Sequence, residues 1–439
     1  MYISEKKAKN MLYQFLVFFF GFTSLIFILF SYLKIQFFEL CFPFTVFVFV
    51  INLFLFRNRQ PILFIDFYIF IYFLYLFYYF YQGAHISEHT LYQEKYLFER
   101  VCLFFYLFYY SQFCIYKIYK KQTNHIIIRN KKIIFSNIEI IILLIFIFGL
   151  LCVTYRIGTD MIRTGFNYRV YIENLKASSV IPALFIIVFA LYAFSQKANR
   201  FICCFFCLAY LYFCISRGFR ITALPAILVI YLAFYEGKIP NILFLICLFS
   251  GLAGIIVLGE LKDSGSVNFS KMFDAERGGV IISHHADILY TMTATIGLVE
   301  NGIVDALLRL ELGVSFFLQA FFLPSFFPDT LRYPLVVSYF TVNGGGGFFL
   351  AGAYLFWGVF GVFICSYIIN LLIVKAYDTK SIYFQLAITI VLVFSCNWIS
   401  YDFHTILRFP MYTLIVYWLL THIDWRYLKN ENSIGCFSY

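Results

Sequence analysis

The stretch MLYQFLVFFFGFTSLIFILFS, Met11–Ser31, decides the fold, because its 21 residues carry no charge. About 20 apolar helical residues, each rising ~1.5 Å, match a hydrocarbon core roughly 30 Å thick. The run exceeds the apolar core of a cleavable signal peptide, which has about 7–15 residues, and no small-residue cleavage site follows it. We therefore interpret it as a retained first span of a polytopic integral membrane protein.

The composition extends this interpretation to the whole chain. Phe occurs 60 times and Tyr 36 times in 439 residues, and 62% of the residues are hydrophobic. Charged residues make up 13%, whereas a soluble domain has about 25%. A water-soluble core could not enclose so much apolar surface, so the soluble classes are excluded.

Apolar runs and breakers divide the chain into about twelve spans. We expect an all-α fold, because the strands of a membrane barrel would show alternating polarity instead of continuous apolar runs. The predicted spans cover residues 11–31, 36–56, 61–82, 99–116, 133–155, 179–195, 201–216, 221–235, 242–259, 347–374, 382–400 and 408–422.

Basic residues set the predicted orientation, since Lys and Arg concentrate in cytoplasmic loops. They cluster before span 1 and after spans 2, 4, 6 and 10, at Lys6, Lys7, Lys9, Arg57, Arg59, Lys117, Lys120, Lys121, Arg129, Lys131, Lys132, Lys197, Arg200, Lys375 and Lys380. All of these belong to one side, which we assign to the cytoplasm. Because twelve spans are an even number, both termini are predicted to be cytoplasmic.

The opposite side receives the long connections, which divide the chain into three parts. Residues 1–259 hold nine spans and a short periplasmic loop at 156–178. Residues 260–346 form a large periplasmic loop with an interfacial helix near 305–323, and residues 347–439 hold the last three spans and a cytoplasmic tail. A carrier usually has short loops and paired repeats. One elaborate outer face instead predicts chemistry or recognition there.

Arginines on this outer face are the candidate anion ligands. The first loop contains Arg156, Arg163 and Arg169, although positive charge is normally scarce on that side. Arginine presents a planar fork that suits phosphate oxygens. The alternative is that juxtamembrane arginines extend to lipid headgroups.

Two further outer segments add arginines. The turn Ser216–Arg220 contains Arg217 and Arg220, which either bind an anion or only mark the membrane edge. Arg277 lies in the large loop. If these clusters face one cavity, they form a strongly cationic pocket.

Candidate bases follow Arg277 in the large loop. His284, His285 and Asp287 lie close together, and a helix would make His284 and Asp287 neighbours. An imidazole beside a carboxylate is a credible general base. A solvated loop segment is the alternative. No second His or Cys pair at ligand spacing accompanies the histidines, so we assign no metal site.

Two other polar features lie beside or within spans. Gly344, Gly345, Gly346 and Gly347 precede span 10, where glycine allows a close backbone approach to a ligand or a simple hinge. The acids Glu39, Asp66 and Glu139 fall within apolar segments, and their positions predict placement at the membrane edge.

Several of these segments carry a resemblance to a known family. The segment Arg163-Thr164-Gly165, the turn Ser216–Arg220 and above all Gly344–Gly358 resemble the Wzy-type O-antigen polymerases of Gram-negative bacteria. Many relatives show glycines, a Gly-Glu-Ala-Tyr-like step, an aromatic residue and Gly. Gly352 stands here where the acid often falls, so this chain must supply another if that acid is catalytic.

The resemblance implies a glycosyltransferase of the inner membrane. It implies transfer of a growing glycan from undecaprenyl diphosphate to a new lipid-linked repeat unit at the periplasmic face. Donor and acceptor lipids are then the expected partners, nucleic acid is not, and a chain-length regulator stays open. The arginines would stabilise the leaving diphosphate, and a base would activate the acceptor hydroxyl. No cofactor is expected, since the prenyl diphosphate supplies the energy.

Two other functions remain open from the sequence. An O-antigen ligase would use the same donor with a lipid A–core acceptor. A flippase for lipid-linked oligosaccharides would be expected to have short loops on both faces and charges lining a central cavity.

Overall fold

A computed structural model describes the backbone of residues 2–82, 94–119, 137–154, 180–195, 197–216, 220–264, 280–322, 326–332, 347–377, 379, 381–400 and 403–422. Within these ranges, the side chains of some residues are not described. Residues 280–287 are among them. Every regular element in the described ranges is helical.

The first nine helices follow the predicted spans closely. They are α1 Tyr2–Tyr32, α2 Phe38–Leu55, α3 Gln60–Gln82, α4 Lys95–Tyr119, α5 Asn137–Thr154, α6 Val180–Ala193, α7 Arg200–Ser216, α8 Arg220–Ile230 and α9 Asn241–Ser264. A π-helical turn, Tyr231–Tyr235, extends α8.

Six more helices complete the described chain. They are α10 Val280–Glu300, α11 Ala306–Phe321, α12 Phe349–Ala376, α13 Ile382–Val393, α14 Ser395–Ser400 and α15 Thr405–His422. The predicted span 382–400 is therefore two helices, because the backbone leaves the helical conformation at Phe394.

Five helices of the described chain are long and apolar enough to cross a membrane. They contain the segments Lys7–Tyr32, Phe38–Leu55, Gln60–Phe77, Lys95–Ile118 and Phe349–Ala376. Together with the shorter apolar helices, they give an all-α fold of the multi-span membrane type, as the composition predicts.

Helix α4 forms the centre of the bundle and packs against α1, α2, α3, α10 and α12. Its residues 101–109 are all buried. By contrast, α1 exposes one apolar face, with Phe15, Phe18 and Phe22 each more than half accessible. Lipid is the medium that such a face requires.

Aromatic rings hold α2 against α3. Phe38 stacks on Phe80 with ring centroids 3.7 Å apart, and Phe49 stacks on Phe70 at 3.8 Å. Each aromatic side chain of this size can bury about 150–250 Å². The high Phe and Tyr content therefore supplies directional packing between helices as well as hydrophobicity.

Helices α1 to α4 alternate in direction, which gives the bundle two ends. We call the upper end the one that holds the end of α1 and the start of α4. The lower end holds the start of α3 and the end of α8, which meet where Gln60 Nε2 donates 2.6 Å to the Ile239 carbonyl. Arg59 at this end lies 4.2 Å from the ring centroid of Tyr377, which follows α12.

The region between residues 260 and 346 is less loop-like than the sequence predicts. It contains α10, whose residues 288–298 are all buried, and α11, which matches the predicted helix near 305–323. The sequence conceals α10 because threonines interrupt its apolar residues. Thr293 and Thr295 satisfy their hydroxyls on carbonyls of the preceding turn and can therefore be buried.

Candidate functional site

Helix α12 is bent back on itself at Gly358, and this bend organises the candidate site. Gly358 has φ 69° and ψ −162°, a conformation open essentially to glycine alone. A Cβ built on Gly361 would lie 2.7 Å from the Ala353 carbonyl oxygen. Eight residues of straight helix span about 12 Å. The two parts of α12, residues 349–357 and 359–376, must therefore fold against each other.

Contacts with α4 give the direction of each part. Phe349 lies 5.9 Å from Phe108 between ring centroids, whereas Tyr354 lies 5.0 Å from Phe104. The first part therefore runs towards the upper end. The second part runs back, since Phe363 lies 5.7 Å from Tyr110 and Tyr377 lies at the lower end.

The first part of α12 thus begins inside the bundle. Phe348, just before it, contacts Tyr72 in the middle of α3 at 5.3 Å between ring centroids. The sequence predicts one uninterrupted span over 347–374, and this prediction is wrong because Gly358 breaks the helix. Residues 359–376 still reach about 27 Å, enough to cross a hydrocarbon core.

Arg309 compensates for the hydrogen bonds that the bend removes. Its Nε donates 2.8 Å to the Leu355 carbonyl and its Nη2 donates 3.1 Å to the Tyr354 carbonyl. These carbonyls end the first part of α12, where the helix dipole favours a positive charge. Arg309 lies on α11, so this one side chain also joins two helices.

A second arginine meets the same turn of α12. Arg100 forms an ion pair with Glu300 Oε1, and its Nη1 donates 3.2 Å to the Tyr354 hydroxyl. The Tyr354 hydroxyl in turn donates 2.5 Å to Glu300 Oε1. Arg100 Nη2 donates 3.1 Å to the Ser31 carbonyl at the end of α1.

We call Arg100, Glu300, Arg309 and Tyr354 the upper cluster. Four different helices, α4, α10, α11 and α12, supply its members. The Arg100 side chain is 5% exposed and the Glu300 side chain 22%, so the cluster is covered by protein on one side and open on the other. Removing either partner of such a half-buried ion pair would leave an uncompensated charge and destabilise the protein.

Two further charged groups lie near the upper cluster. Lys34, which is exposed, places its Nζ 5.1 Å from the ring centroid of Tyr96. Arg100 lies 5.9 Å from the same ring. The neighbouring acid Glu99 is buried, next to the backbone N–H groups of Phe37 and Phe38 that begin α2. Lys34 is therefore an exposed cation beside the cluster.

The lower end holds a separate polar cavity of about 360 Å³. Asn58, Gln60, Glu236, Gly237 and Asn241 contribute to its lining. Gln60 makes hydrogen bonds to both the Ile239 carbonyl and Asn241 Oδ1. It also accepts from the Tyr231 hydroxyl and the Gly237 N–H. Gln60 thereby ties α3 to the turn after α8, which explains the polarity of the cavity.

Most of the arginines predicted from the sequence lie outside the described residues. Arg156, Arg163, Arg169, Arg217 and Arg277 fall there. Arg220 begins α8, but its side chain is not described. Their convergence on one pocket stays a prediction.

The candidate bases and glycines are located in part. His284, His285 and Asp287 lie in the first half of α10, where His284 and Asp287 are three residues apart on one helix. Their side chains are not described. Gly344, Gly345 and Gly346 lie outside the described residues, while Gly347 is buried just before α12.

Asp66 lies in different surroundings from the other two intramembrane acids. Glu39 and Glu139 are exposed in the first turns of α2 and α5, as expected of edge positions. Asp66 is 0% exposed, and its Oδ1 accepts 2.8 Å from Gln112 Nε2 on α4. The packing of α3 against α4 encloses this position, which sequence distance from the span end does not reveal.

The sequence alone gave no reason to select the upper cluster. Arg100, Glu300 and Arg309 are far apart in the chain, and each is an ordinary charge next to an apolar run. Only Tyr354 belongs to a segment that the resemblance marks.

No protein-family model, curated protein or solved structure matches the chain.

Proposed function

We propose that this protein is a glycan polymerase of the bacterial inner membrane. It joins oligosaccharide repeat units carried on undecaprenyl diphosphate, at the periplasmic face, in lipopolysaccharide biosynthesis. Both substrates are lipid-anchored, which fits a catalyst whose helices are long and apolar enough to cross a bilayer.

One observation carries the proposal. The segment that most resembles the polymerase family, Gly344–Gly358, ends at the bend of α12, where two arginines meet. In the membrane, irregular backbone is tolerated where it is enclosed by protein or lines a polar space. The segment that carries the resemblance therefore includes the bend that brings the two arginines together.

The charge at the upper end suits the departing diphosphate. Lys34 is exposed there, and Arg309 and Arg100 lie at the same end. Positive groups fixed where negative charge develops are the main source of catalysis in transfers of this type. Arg156, Arg163, Arg169, Arg217, Arg220 and Arg277 remain proposed as further ligands of the diphosphate.

Gel analysis of surface polysaccharide tests the proposal. A strain that lacks this protein should make lipid A–core with a single repeat unit, and the wild-type gene should restore the long-chain ladder. We expect Arg309→Ala to shorten the ladder strongly, because the bend of α12 loses its support. Arg332→Ala is the matched control, since among the described residues Arg332 bonds to Asp329 and the Phe327 carbonyl within its own turn.

The outcome also separates the alternatives. A carrier is the second candidate, because broken helices are typical of secondary transporters. A deletion strain with no repeat unit on its lipid A–core would exclude the polymerase and point to a carrier or a ligase. A full-length ladder without the protein would exclude all three.

A further inference from the structure

Glu300 is held in a way that leaves half of its carboxylate uncommitted. Its Oε1 forms the ion pair with Arg100 and accepts a hydrogen bond from the Tyr354 hydroxyl. No described residue pairs with its Oε2. The side chain is 22% exposed, on the open side of the upper cluster. One oxygen is therefore anchored, and the other is available to a group that approaches from outside.

The other described acids do not combine these properties. Asp66 and Glu99 are buried. Asp305 caps α11 by accepting from the Leu308 N–H, and Asp329 pairs with Arg332. Glu236 lies at the lower end, where it accepts from the Tyr377 hydroxyl. Glu300 alone among the acids described is anchored, partly open and beside the bend of α12.

We propose that Glu300 is the general base that activates the acceptor hydroxyl, with Arg100 and Tyr354 as its positioning residues. This inference rests on the proposed polymerase function. The two positioning residues fix the carboxylate rotamer before the acceptor arrives. A base held in this way avoids the entropy cost of ordering at the moment of reaction.

The step balances as follows. The acceptor hydroxyl gives its proton to Glu300 Oε2, and its oxygen forms a bond to the anomeric carbon of the donor. The bond between that carbon and the diphosphate oxygen breaks, and undecaprenyl diphosphate leaves with the electron pair. Lys34 lies 5.1 Å from the Tyr96 ring centroid, and Arg100 lies 5.9 Å from the same centroid. Lys34 is therefore at the end of the bundle where the leaving diphosphate would carry its charge.

The inference competes directly with the bases that the sequence suggests. Asp287 lies 13 residues before Glu300 on α10. At ~1.5 Å per residue, the two positions are about 20 Å apart along the helix. One acceptor hydroxyl cannot use both, so substitutions at the two places must give different results.

The experiment is polymerisation in vitro by the full chain in nanodiscs, with purified lipid-linked repeat unit. We expect Glu300→Gln to lower the rate at saturating substrate by about 10²–10⁴-fold, the usual contribution of a general base. A larger loss of rate in His284→Ala or Asp287→Asn than in Glu300→Gln would overturn the assignment of the base to Glu300. Glu311→Gln is the matched control, since Glu311 is an exposed acid on the neighbouring helix α11.

Two further variants separate catalysis from structure. Glu300→Asp keeps the charge but withdraws it from the acceptor, and a displacement near 1 Å can cost about 10²-fold. Glu300→Ala should regain activity when formate is added, because formate restores a carboxylate in the space left. A purely structural role for Glu300 predicts no rescue by formate. Tyr354→Phe should shift the pH dependence of the rate and leave the KM nearly unchanged.

Each result bears on one claim. A Glu300→Gln protein that polymerises within about threefold of wild type overturns the assignment of the base while the polymerase function stands. The assignment of the base is also overturned if Glu300→Gln loses activity together with its fold and formate does not rescue Glu300→Ala. If the wild-type protein makes no polymer from the repeat unit, the proposed function itself fails.

Discussion

At the scale of single residues, burial of polar groups separates structural from chemical roles. Asn52, Ser111 and Gln112 are almost fully buried near the lower end, and each makes a hydrogen bond within the bundle. Such bonds are needed because an unsatisfied polar group in an apolar surrounding costs about 1–3 kcal/mol. Asn52 Oδ1 and Gln112 Oε1 lack a described partner but are buried. The Glu300 carboxylate is partly open and charged, and it is therefore the better candidate for chemistry.

Asp66 gives a test of this distinction. We expect Asp66→Asn to be tolerated or stabilising, because the new amide can still accept from Gln112 Nε2 and can donate to Gln112 Oε1, which has no partner among the described residues. Asp66→Leu should destabilise by about 1–3 kcal/mol, since Gln112 then loses its partner. Thermal unfolding of the two purified variants in detergent measures the difference.

The opposite ranking would change the interpretation of Asp66. If Asp66→Asn proves as unstable as Asp66→Leu, the negative charge itself is required. Asp66 would then have to be treated as an ion-binding or proton-carrying residue, as buried acids in membrane segments often are.

At the scale of elements, the bend in α12 is the feature that brings the upper cluster together. Gly358 supplies the turn, Gly361 allows the close approach of the two parts, and Arg309 satisfies the carbonyls released. Each of these three contributions depends on the others. A straight α12 would carry Tyr354 away from Arg100 and Glu300.

Gly358→Ala tests the bend directly. An alanine in this backbone conformation costs about 1–3 kcal/mol. We expect a lower unfolding temperature and a shortened polysaccharide ladder, since strain at this position moves Tyr354. Gly149→Ala on α5 is the control, because nothing lies within 4 Å of its added Cβ and its backbone is helical. Equal effects of the two substitutions would mean that the bend has no special role.

At the scale of the whole molecule, the two ends of the bundle differ in charge. The lower end carries most of the described basic residues, which are Lys7, Lys9, Arg57, Arg59, Lys117, Lys197, Arg200, Lys238 and Lys375. Arg200 lies over the Phe234 ring and Lys117 over the Tyr13 ring. These cation–π contacts place several of the basic residues around the same end. The positive-inside rule then predicts that this end faces the cytoplasm.

Reporter fusions check that orientation. We expect alkaline phosphatase, which is active only outside the cytoplasm, to be active when fused after Lys34 and inactive when fused after Lys197 or Lys238. A green fluorescent protein at the same positions should give the opposite pattern. Activity of the phosphatase after Lys197 would place the upper cluster in the cytoplasm, where the proposed periplasmic transfer could not occur.

The sequence by itself determined the class of the protein and the position of most helices. Uninterrupted apolar runs such as Met11–Ser31 leave helix as the only stable element in lipid, because each backbone polar group must be satisfied within its own segment. This constraint is local, so a linear pattern is enough to predict it. Every predicted span contains a helix among the described residues.

The tertiary structure decided which polar residues meet and where helices break. The bend at Gly358, the burial of Asp66 and the pairing of Arg100 with Glu300 all depend on contacts between helices far apart in the chain. A charge beside an apolar run has the same local pattern whether it faces lipid headgroups, water or another helix. Only packing distinguishes these surroundings, and for that reason the upper cluster could not be predicted from the sequence.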